Sequence, residues 1–316
     1  MKKIPVVAVV GPTASGKSDL AVEICLALDG EVVSADSMQI YKGIDISTAK
    51  PDDEEKKGIP HHMMDFLDNT ESFSVADYQK LAGGCIRDIH LRGKLPVVVG
   101  GTGLYIDTLL DNIILTDSSF DPQLREKLNK RAGEEGIEVL LEELRGIDPE
   151  YACKMHPNNS KRIIRALEVW YSSGITMTRQ IELSHAESPY DVCYIGLDAK
   201  NRGYLYDRIN RRVSLMLEKG LEEEARDYLS RPDTATSSQA IGCKELKPYF
   251  DGEISLEAAA DNLRQATRRY AKRQLTWFRR NERINWIYID TYETKSQIVQ
   301  KAIEIINNRE RDGENA

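Results

Sequence analysis

The chain has 316 residues, of which 41% are hydrophobic and 30% are charged, and its formal net charge is −8 at pH 7. This composition is ordinary for a globular protein, and the length suffices for one large domain or for a core with an inserted module. The acidic total argues against a polyanionic partner unless basic residues are concentrated in one region. No stretch approaches the roughly 20 apolar residues of a membrane span, so we expect no membrane association.

The five cysteines are widely scattered, include no C-x-x-C pair and are odd in number. They therefore indicate neither a structural zinc site nor a disulfide framework. Such usage is typical of a reducing compartment, and we expect a cytoplasmic location.

An apolar run over Ile4–Val10 leads into residues 11–18, GPTASGKS, and a helical pattern follows. This is the P-loop pattern G-x-x-x-x-G-K-[ST], in which backbone N–H groups, a helix N-terminus and a lysine surround an anion. The sequence therefore predicts a site for a di- or triphosphate, with Ser18 as a ligand of Mg²⁺. Kinases, nucleotide hydrolases and other transferases share this loop, so the phosphate compound stays open. The predicted phosphate-binding residues are Gly11, Pro12, Thr13, Ala14, Ser15, Gly16, Lys17, Ser18 and Arg208.

Two further strands are predicted over residues 31–35 and 95–99, and they end at Asp36 and at the glycine-rich stretch that contains Thr102. Ligands of an open parallel sheet bind outside the carboxyl ends of its strands. We therefore predict an α/β fold of the P-loop NTPase type, an open parallel sheet with flanking helices, in which these residues and the P-loop converge in one crevice. The adjacent His61 and His62 favour packing or a loop over a metal site.

From about residue 117 the pattern changes to consecutive amphipathic helices, and an apolar run over 192–197 returns to the sheet. We predict an inserted all-helical module over 117–190 and a P-loop core formed by 1–116 and 191–306. From Arg202 the chain is expected to be helical again. The polar residues 307–316 predict a disordered tail.

Basic residues are concentrated in two places. Residues 264–283 hold eight arginines and lysines against Glu282 and are interleaved with aromatic residues. Within the module, Lys161, Arg162 and Arg165 fall three or four residues apart and so share a helix face. Both patterns favour contact with a nucleic acid, although a solvated basic face is the alternative.

Seven motifs span nearly the whole chain: GPTASGKS (11–18), SADSMQIY (34–41), DISTAK (45–50), GGTGLY (100–105), RIIRALE (162–168), AIGCKE (240–245) and RRYAKRQLTWFRR (268–280). With this set in this order the sequence resembles the tRNA dimethylallyltransferases, also called tRNA isopentenyltransferases, and the lack of a zinc-finger extension implies the bacterial type. Lys161, Cys243 and Ser214 depart from the family, which usually has Gln, Tyr and Asp at these positions.

The resemblance implies transfer of a dimethylallyl group from dimethylallyl diphosphate to N6 of the adenosine 3′-adjacent to the anticodon of tRNA, with Mg²⁺ present and release of diphosphate. Asp36 is then the candidate base for the N6 proton, and Thr102 would orient the amine or a phosphate oxygen. Lys17 would stabilise the leaving diphosphate. For Asp36, a role as Mg²⁺ ligand or as helix cap stays open.

The resemblance also implies tRNA contacts in both parts of the chain, a monomer, and no protein partner. The residues that fall at tRNA-contacting positions are Asp36, Ser37, Met38, Gln39, Thr102, Arg125, Lys161, Arg162, Ile163, Ile164, Arg165, Ala240, Ile241, Gly242, Cys243, Lys244, Glu245, Lys272, Arg273, Gln274, Leu275, Thr276, Trp277, Phe278 and Arg279.

Two other classes of protein stay open. An adenylate isopentenyltransferase uses the same donor on AMP, but a mononucleotide needs neither the helical module nor the basic aromatic segment. A P-loop kinase or an ATP-dependent RNA-binding protein needs a second acidic motif, and Gly100–Gly101–Thr102 stands where that motif would follow the third strand.

Overall fold

A computed structural model describes residues 3–113, 121–184, 186–231 and 240–314, with side chains up to residue 309. Its sheet has six parallel strands in the order β3-β2-β4-β1-β5-β6, with helices on both faces. The predicted α/β fold with an open parallel sheet is therefore confirmed. The strands are β1 (Ile4–Val10), β2 (Gly30–Ser34), β3 (His61–His62), β4 (Leu95–Gly100), β5 (Tyr190–Asp198) and β6 (Asn285–Tyr288).

The helices follow the strands in alternation in the first part of the chain and then run consecutively. They are α1 (Lys17–Leu28), α2 (Asp45–Thr48), α3 (Asp53–Lys56), α4 (Val75–Leu91), α5 (Gly103–Leu110), α6 (Pro122–Glu134), α7 (Ile137–Ile147), α8 (Pro149–Ala152), α9 (Ser160–Ser173), α10 (Met177–Leu183), α11 (Arg202–Glu218), α12 (Leu221–Ser230), α13 (Cys243–Phe250), α14 (Leu256–Phe278) and α15 (Lys295–Glu314). Within the described ranges, no helix is long and apolar enough to cross a membrane.

The central strand β1 is buried on both faces, which explains its continuous apolar run. Val7 and Val9 pack with residues of α1, α11 and α15, whereas Val6 and Val10 pack with residues of α4 and α5. Because β1 pairs with β4 on one side and with β5 on the other, the carboxyl ends of these three strands lie next to one another.

The chain forms two compact units. The core unit comprises Met1–Leu110 and Ser188–Ala316, and the helical unit comprises Asp111–Glu187. The helical unit thus begins and ends a few residues earlier than the predicted 117–190. Its own core is formed by leucines and isoleucines of α6, α7 and α9, among them Leu128, Leu140 and Ile163.

Two predictions for the C-terminal part are wrong. Strand β6 interrupts the region expected to be wholly helical. Residues 307–314 belong to α15 rather than to a disordered tail, because Ala302 and Ile306 bury one face of this helix against the core. Residues 315–316 lie outside the described residues.

The adjacent histidines form the short strand β3 rather than a loop, and His62 Nε2 lies 2.8 Å from a Glu31 carboxylate oxygen.

Candidate active site

The P-loop connects β1 to α1 and depends on two glycines. Gly11 has φ 142°, and a Cβ atom there would overlap the Leu197 carbonyl oxygen. Gly16 has φ 92° and is the N-cap of α1. Since L side chains rarely adopt such φ values, both positions require glycine. The loop therefore wraps around the N-terminus of α1, where an anion is stabilised.

Four cations surround this loop. Lys17 Nζ donates to the Pro12 carbonyl oxygen over 2.7 Å, and Arg208 Nε of α11 donates to the Ala14 carbonyl oxygen over 2.7 Å. Arg211 and Arg212 follow on the same helix. All four line a cavity of about 550 Å³, the P-loop cavity, which also contains Ser18. Across the described ranges, none of the four forms an ion pair with a carboxylate.

The charge of Lys17 is poorly compensated. Burial and the neighbouring charge of Arg212 lower the pKa of Lys17 to about 7, while Asp36 acts in the opposite direction. Burial also lowers the pKa of Arg212. An anion with several negative charges would relieve this repulsion, so the cavity is suited to a diphosphate.

Asp36 follows β2 and lies in a turn. Its Oδ1 accepts the Met38 backbone N–H over 2.9 Å. Thr102 Oγ1 accepts the Ser37 N–H over 3.1 Å, and the Thr102 N–H donates to the Ala35 carbonyl oxygen over 3.1 Å. The loops after β2 and β4 are therefore linked beside Asp36. Residues 37–40 form turns and not a helix, so Asp36 is not a helix cap.

Asp36 lines a second cavity of about 290 Å³, the Asp36 cavity, together with Thr13, Tyr270 and Arg273. Arg212 and Met216 line both this cavity and the P-loop cavity. The two cavities therefore adjoin.

A larger cavity of about 640 Å³ shares Gly16, Asp19 and Arg208 with the P-loop cavity. Neither Lys17 nor Asp36 lines it. It is therefore not the cavity in which the predicted catalytic residues lie.

The predicted tRNA-contacting run on α14 divides into two faces. The side chains of Gln274, Leu275 and Phe278 are buried and contact the core unit itself. Trp277 Nε1 donates to Asp107 Oδ2 over 2.8 Å, and this ring fills the space beside Gly103. The exposed face contains Lys272, Arg273 and Thr276.

Arg279 also has a partner within the core unit. Its Nη2 donates over 2.6 Å to Oδ2 of Asp198, a residue that is 1% exposed at the end of β5. Arg202 lies 3.6 Å from the same carboxylate. Because a buried carboxylate requires a cation, Arg279 compensates Asp198.

Residues 240–245 are mostly internal. Ala240, Gly242 and Cys243 are buried, and Glu245 accepts the Gly242 N–H over 2.9 Å. Burial raises the pKa of the Cys243 thiol to about 12, so this thiol packs as an apolar group. Lys244 is exposed.

Other predicted positions near β2 have internal partners or line the Asp36 cavity. The side chain of Gln39 is buried and bonds the Ser34 hydroxyl over 2.9 Å. Ser37 and Met38 are partly buried and line the Asp36 cavity. Ser214, a departure from the family, accepts a hydrogen bond from Arg264 over 3.4 Å.

In the helical unit, too, some of the predicted tRNA-contacting residues have internal partners and others are exposed. Arg125 Nε donates to Glu168 Oε1 over 3.0 Å, and Arg165 Nη1 donates to Glu168 Oε2 over 2.8 Å. Ile163 and Ile164 are buried in the core of this unit. Lys161 and Arg162 are exposed.

Arg211, Arg212, Met216 and Tyr270 line the two cavities but are not among the predicted site residues. A signal was present for the arginines, since Arg211 and Arg212 follow Arg208 by three and four residues and therefore share its helix face. Met216 and Tyr270 carry no such signal, because packing alone brings them to the cavities.

This fold and site define an α/β P-loop enzyme. Residues 39–281 match the family model of the IPP transferases, and residues 4–70 match the isopentenyl transferase model. The tRNA dimethylallyltransferase of Caldanaerobacter subterraneus subsp. tengcongensis is 47% identical over 307 residues, which are 96% of this chain and 98% of that protein. The tRNA dimethylallyltransferase of Bacillus subtilis is 48% identical over 285 residues, 90% of each chain.

Solved structures agree with these matches. The full-length tRNA isopentenylpyrophosphate transferase of Bacillus halodurans has a TM-score of 0.72 and 43% identity, over 99% of this chain and 100% of that chain. A eukaryotic dimethylallyltransferase, described as acting on tRNA, has a TM-score of 0.85 and 30% identity, over 98% of this chain and 80% of that chain. The protein therefore belongs to the tRNA dimethylallyltransferase family and is a prenyltransferase.

Proposed function

We propose that this protein transfers a dimethylallyl group from dimethylallyl diphosphate to N6 of the adenosine 3′-adjacent to the anticodon in tRNA, with release of diphosphate. One observation carries the proposal: the P-loop cavity, in which Lys17, Arg208, Arg211 and Arg212 have no carboxylate partner in the described ranges, adjoins the cavity that contains Asp36. The diphosphate of the donor fits the P-loop cavity, and the amine of the acceptor fits the Asp36 cavity.

In the proposed reaction the C1–O bond of the donor breaks and its electron pair stays on the diphosphate. Lys17, Arg208 and Arg212 stabilise the negative charge that develops on the leaving oxygen. The N6 lone pair forms the new bond to C1, and N6 then loses a proton. This account needs a base at the acceptor cavity and no covalent enzyme intermediate.

Asp36 is the proposed base, since it lines the acceptor cavity and its Oδ1 is fixed by the Met38 N–H. The hydroxyl oxygen of Thr102 accepts the N–H of Ser37 and so positions the residue that follows Asp36. A base held in this manner contributes about 10²- to 10⁴-fold to the rate.

Mg²⁺ fits the donor set at the P-loop. Among the described residues, no group of three or more His, Cys, Asp or Glu side chains could enclose a metal. Mg²⁺ usually binds to substrate phosphates, waters and one or two protein oxygens, and the Ser18 hydroxyl lines the P-loop cavity. When bound, Mg²⁺ would neutralise charge on the diphosphate.

An adenosine in an anticodon loop must leave its base stack to reach a cavity, which costs a few kcal/mol. Contacts to neighbouring phosphates can offset this cost. The exposed cations are suited to this role: Lys244, Lys272 and Arg273 in the core unit, and Lys161 and Arg162 in the helical unit.

One assay separates the proposed function from the two other classes. The protein is incubated with Mg²⁺, dimethylallyl diphosphate, ATP, AMP and unmodified tRNA, and the consumption of each compound is followed. We expect equal amounts of diphosphate and prenylated tRNA, with ATP and AMP unchanged. Prenylation of AMP would support an adenylate isopentenyltransferase, and hydrolysis of ATP stimulated by RNA would support the kinase-like class.

A further inference from the structure

Gln274 lies at the junction between α14 and the two loops that form the active site. Its side chain is 5% exposed, and both ends of its amide are bonded. Oε1 accepts the Thr13 backbone N–H over 2.8 Å, and Nε2 donates to the Gly101 carbonyl oxygen over 3.0 Å. Because one partner is a donor and the other an acceptor, only one orientation of the amide satisfies both.

The two partners of Gln274 belong to two different loops of the proposed active site. Thr13 is in the P-loop and lines the Asp36 cavity, whereas Gly101 directly precedes Thr102. Tyr270, one helical turn before Gln274, also lines the Asp36 cavity. Gln274 therefore joins the P-loop to the Thr102 loop through a single helix.

The amide has no freedom to shift. Gly101 packs so closely against Gln274 that a Cβ atom at Gly101 would overlap Nε2. Thr13 and Gly101 are also fixed by the sheet, because their loops follow the adjacent strands β1 and β4. Loss of the amide would remove the partner of the partly buried Thr13 N–H and of the buried Gly101 carbonyl oxygen, and the loops would relax to satisfy them.

We propose that Gln274 is a positioning residue for group transfer, which holds the P-loop and the Thr102 loop at the separation that the reaction needs. The inference rests on the proposed function and extends it. Gln274 acts on the substrates through Thr13 and Thr102 and not by direct contact with tRNA. A misplacement of about 1 Å between reacting groups lowers rates by about 10²-fold.

The test compares Gln274→Met and Gln274→Glu with wild-type protein and with Gln265→Met. Gln265 is an exposed glutamine on the same helix and serves as the matched control. Four quantities are measured for each: the single-turnover rate with saturating donor and tRNA, pyrophosphate affinity by calorimetry, tRNA affinity by filter binding, and the melting temperature. We expect Gln274→Met to lower the single-turnover rate by about 10- to 100-fold, with tRNA affinity within about twofold of wild type.

Gln274→Glu adds a signature that a purely structural role would not give. At neutral pH its carboxylate accepts the Thr13 N–H but faces the Gly101 carbonyl oxygen with no proton to donate. Burial and this carbonyl raise the pKa of the carboxyl group, and its protonated form restores both hydrogen bonds. The rate of Gln274→Glu relative to wild type should therefore rise as the pH falls, whereas the relative rates of Gln274→Met and Gln265→Met should stay constant.

Three results would overturn the inference. A Gln274→Met rate within threefold of wild type would do so, as would a relative rate of Gln274→Glu that does not change with pH. A loss confined to tRNA affinity, with an unchanged rate at saturation, would instead show direct tRNA contact. The proposed function fails separately, if wild-type protein binds pyrophosphate but transfers no dimethylallyl group to tRNA.

Discussion

At the amino end of the parallel sheet, the buried Glu31 of β2 is enclosed by basic side chains: Arg92 donates to its carboxylate over 2.8 Å, His62 lies at 2.8 Å and Lys94 at 3.8 Å. At the carboxyl end of the same sheet, the four P-loop cations Lys17, Arg208, Arg211 and Arg212 form no ion pair within the part of the chain that the structure describes. The lysine there donates to a backbone oxygen instead.

The difference distinguishes charges that hold the fold together from charges that await a ligand. The hydrogen bonds from Arg92 lower the pKa of Glu31 to about 2, so the folded protein favours its charged form. The pKa of Lys17 is lowered to about 7, so the free site disfavours its charge. The first environment stabilises the native state, whereas the second gains its stabilisation when an anion binds.

The largest effect is expected from Asp36, the carboxylate at the open end of the sheet. Asp36→Asn should lower the single-turnover rate by about 10²- to 10⁴-fold, because the amide cannot accept the N6 proton. Donor and tRNA affinities should stay within about twofold. The rate is measured by rapid-quench transfer to tRNA. The control is Asp68→Asn, because Asp68 is exposed and forms an ion pair with Lys42. A loss of rate below threefold would exclude Asp36 as the base. Recovery of the rate at high Mg²⁺ would favour Asp36 as a metal ligand.

Lys17→Ala should weaken pyrophosphate binding by about 10- to 100-fold, since one charged hydrogen-bond donor is removed. The wild-type site should also depend on pH in a defined direction. Lys17 is protonated below its pKa of about 7 and loses the proton above it, so affinity should fall as the pH rises above 7.

Calorimetry in two buffers of different ionisation enthalpy checks this proton uptake. Lys17→Arg is the control, because its guanidinium stays charged throughout. If Lys17→Arg and wild type show the same pH dependence of affinity, the titrating group belongs to pyrophosphate and not to Lys17.

A smaller effect, on tRNA affinity, is expected on α14. There the comparison between unpaired and paired charges can be repeated with exposed cations. Lys272→Gln with Arg273→Gln removes two cations that form no ion pair among the described residues. We expect tRNA affinity to fall by about tenfold and the salt dependence to flatten by about 0.7 per lost phosphate contact. Arg226→Gln with Lys247→Gln makes the same change in charge at cations that pair with acids. Equal effects of both double variants on filter binding would mean that only total charge matters.

The smallest effect on catalysis is expected at the paired end. Glu31→Gln should leave transfer within about twofold of wild type but lower the melting temperature. The depressed pKa of Glu31 gives stability that is complete above its ordinary value of 4.5 and is lost as the pH falls towards 2. Thermal melts between pH 2 and 6 should therefore show a shallower acid slope in the variant. An unchanged slope would contradict the assigned role of Glu31.

Features that depend on a few adjacent residues could be predicted from the sequence. The P-loop, the strands that lead to Asp36 and Thr102, and the inserted helices all follow from local spacing of glycines and apolar residues. The strands β3 and β6 could not, because they are two and four residues long and complete a sheet that already exists. The helical state of the polar end of α15 could not be predicted either, because the helix depends on the packing of Ala302 and Ile306 in its earlier turns.

The candidate site shows the same limit. Lys17 and Asp36 have positions set by neighbouring residues, and the structure places them at adjoining cavities. The division of the α14 run into two faces depends on residues far away in the chain. Arg279 could be assigned to Asp198, and Gln274 to Thr13, only after the strands had brought those partners to one edge of the sheet.

The position of β5 has a consequence for synthesis of the chain. Strand β1 pairs with β4 on one side, but its other neighbour, β5, begins only at Tyr190, after the whole helical unit. Ribosomes add about 5–20 residues per second, so β4 precedes β5 by roughly 5–18 seconds. During that interval a nascent chain presents the open edge of β1 to other extended segments, and Lys3 places a charge directly before this strand. A charge beside an open edge discourages pairing with foreign strands while translation continues.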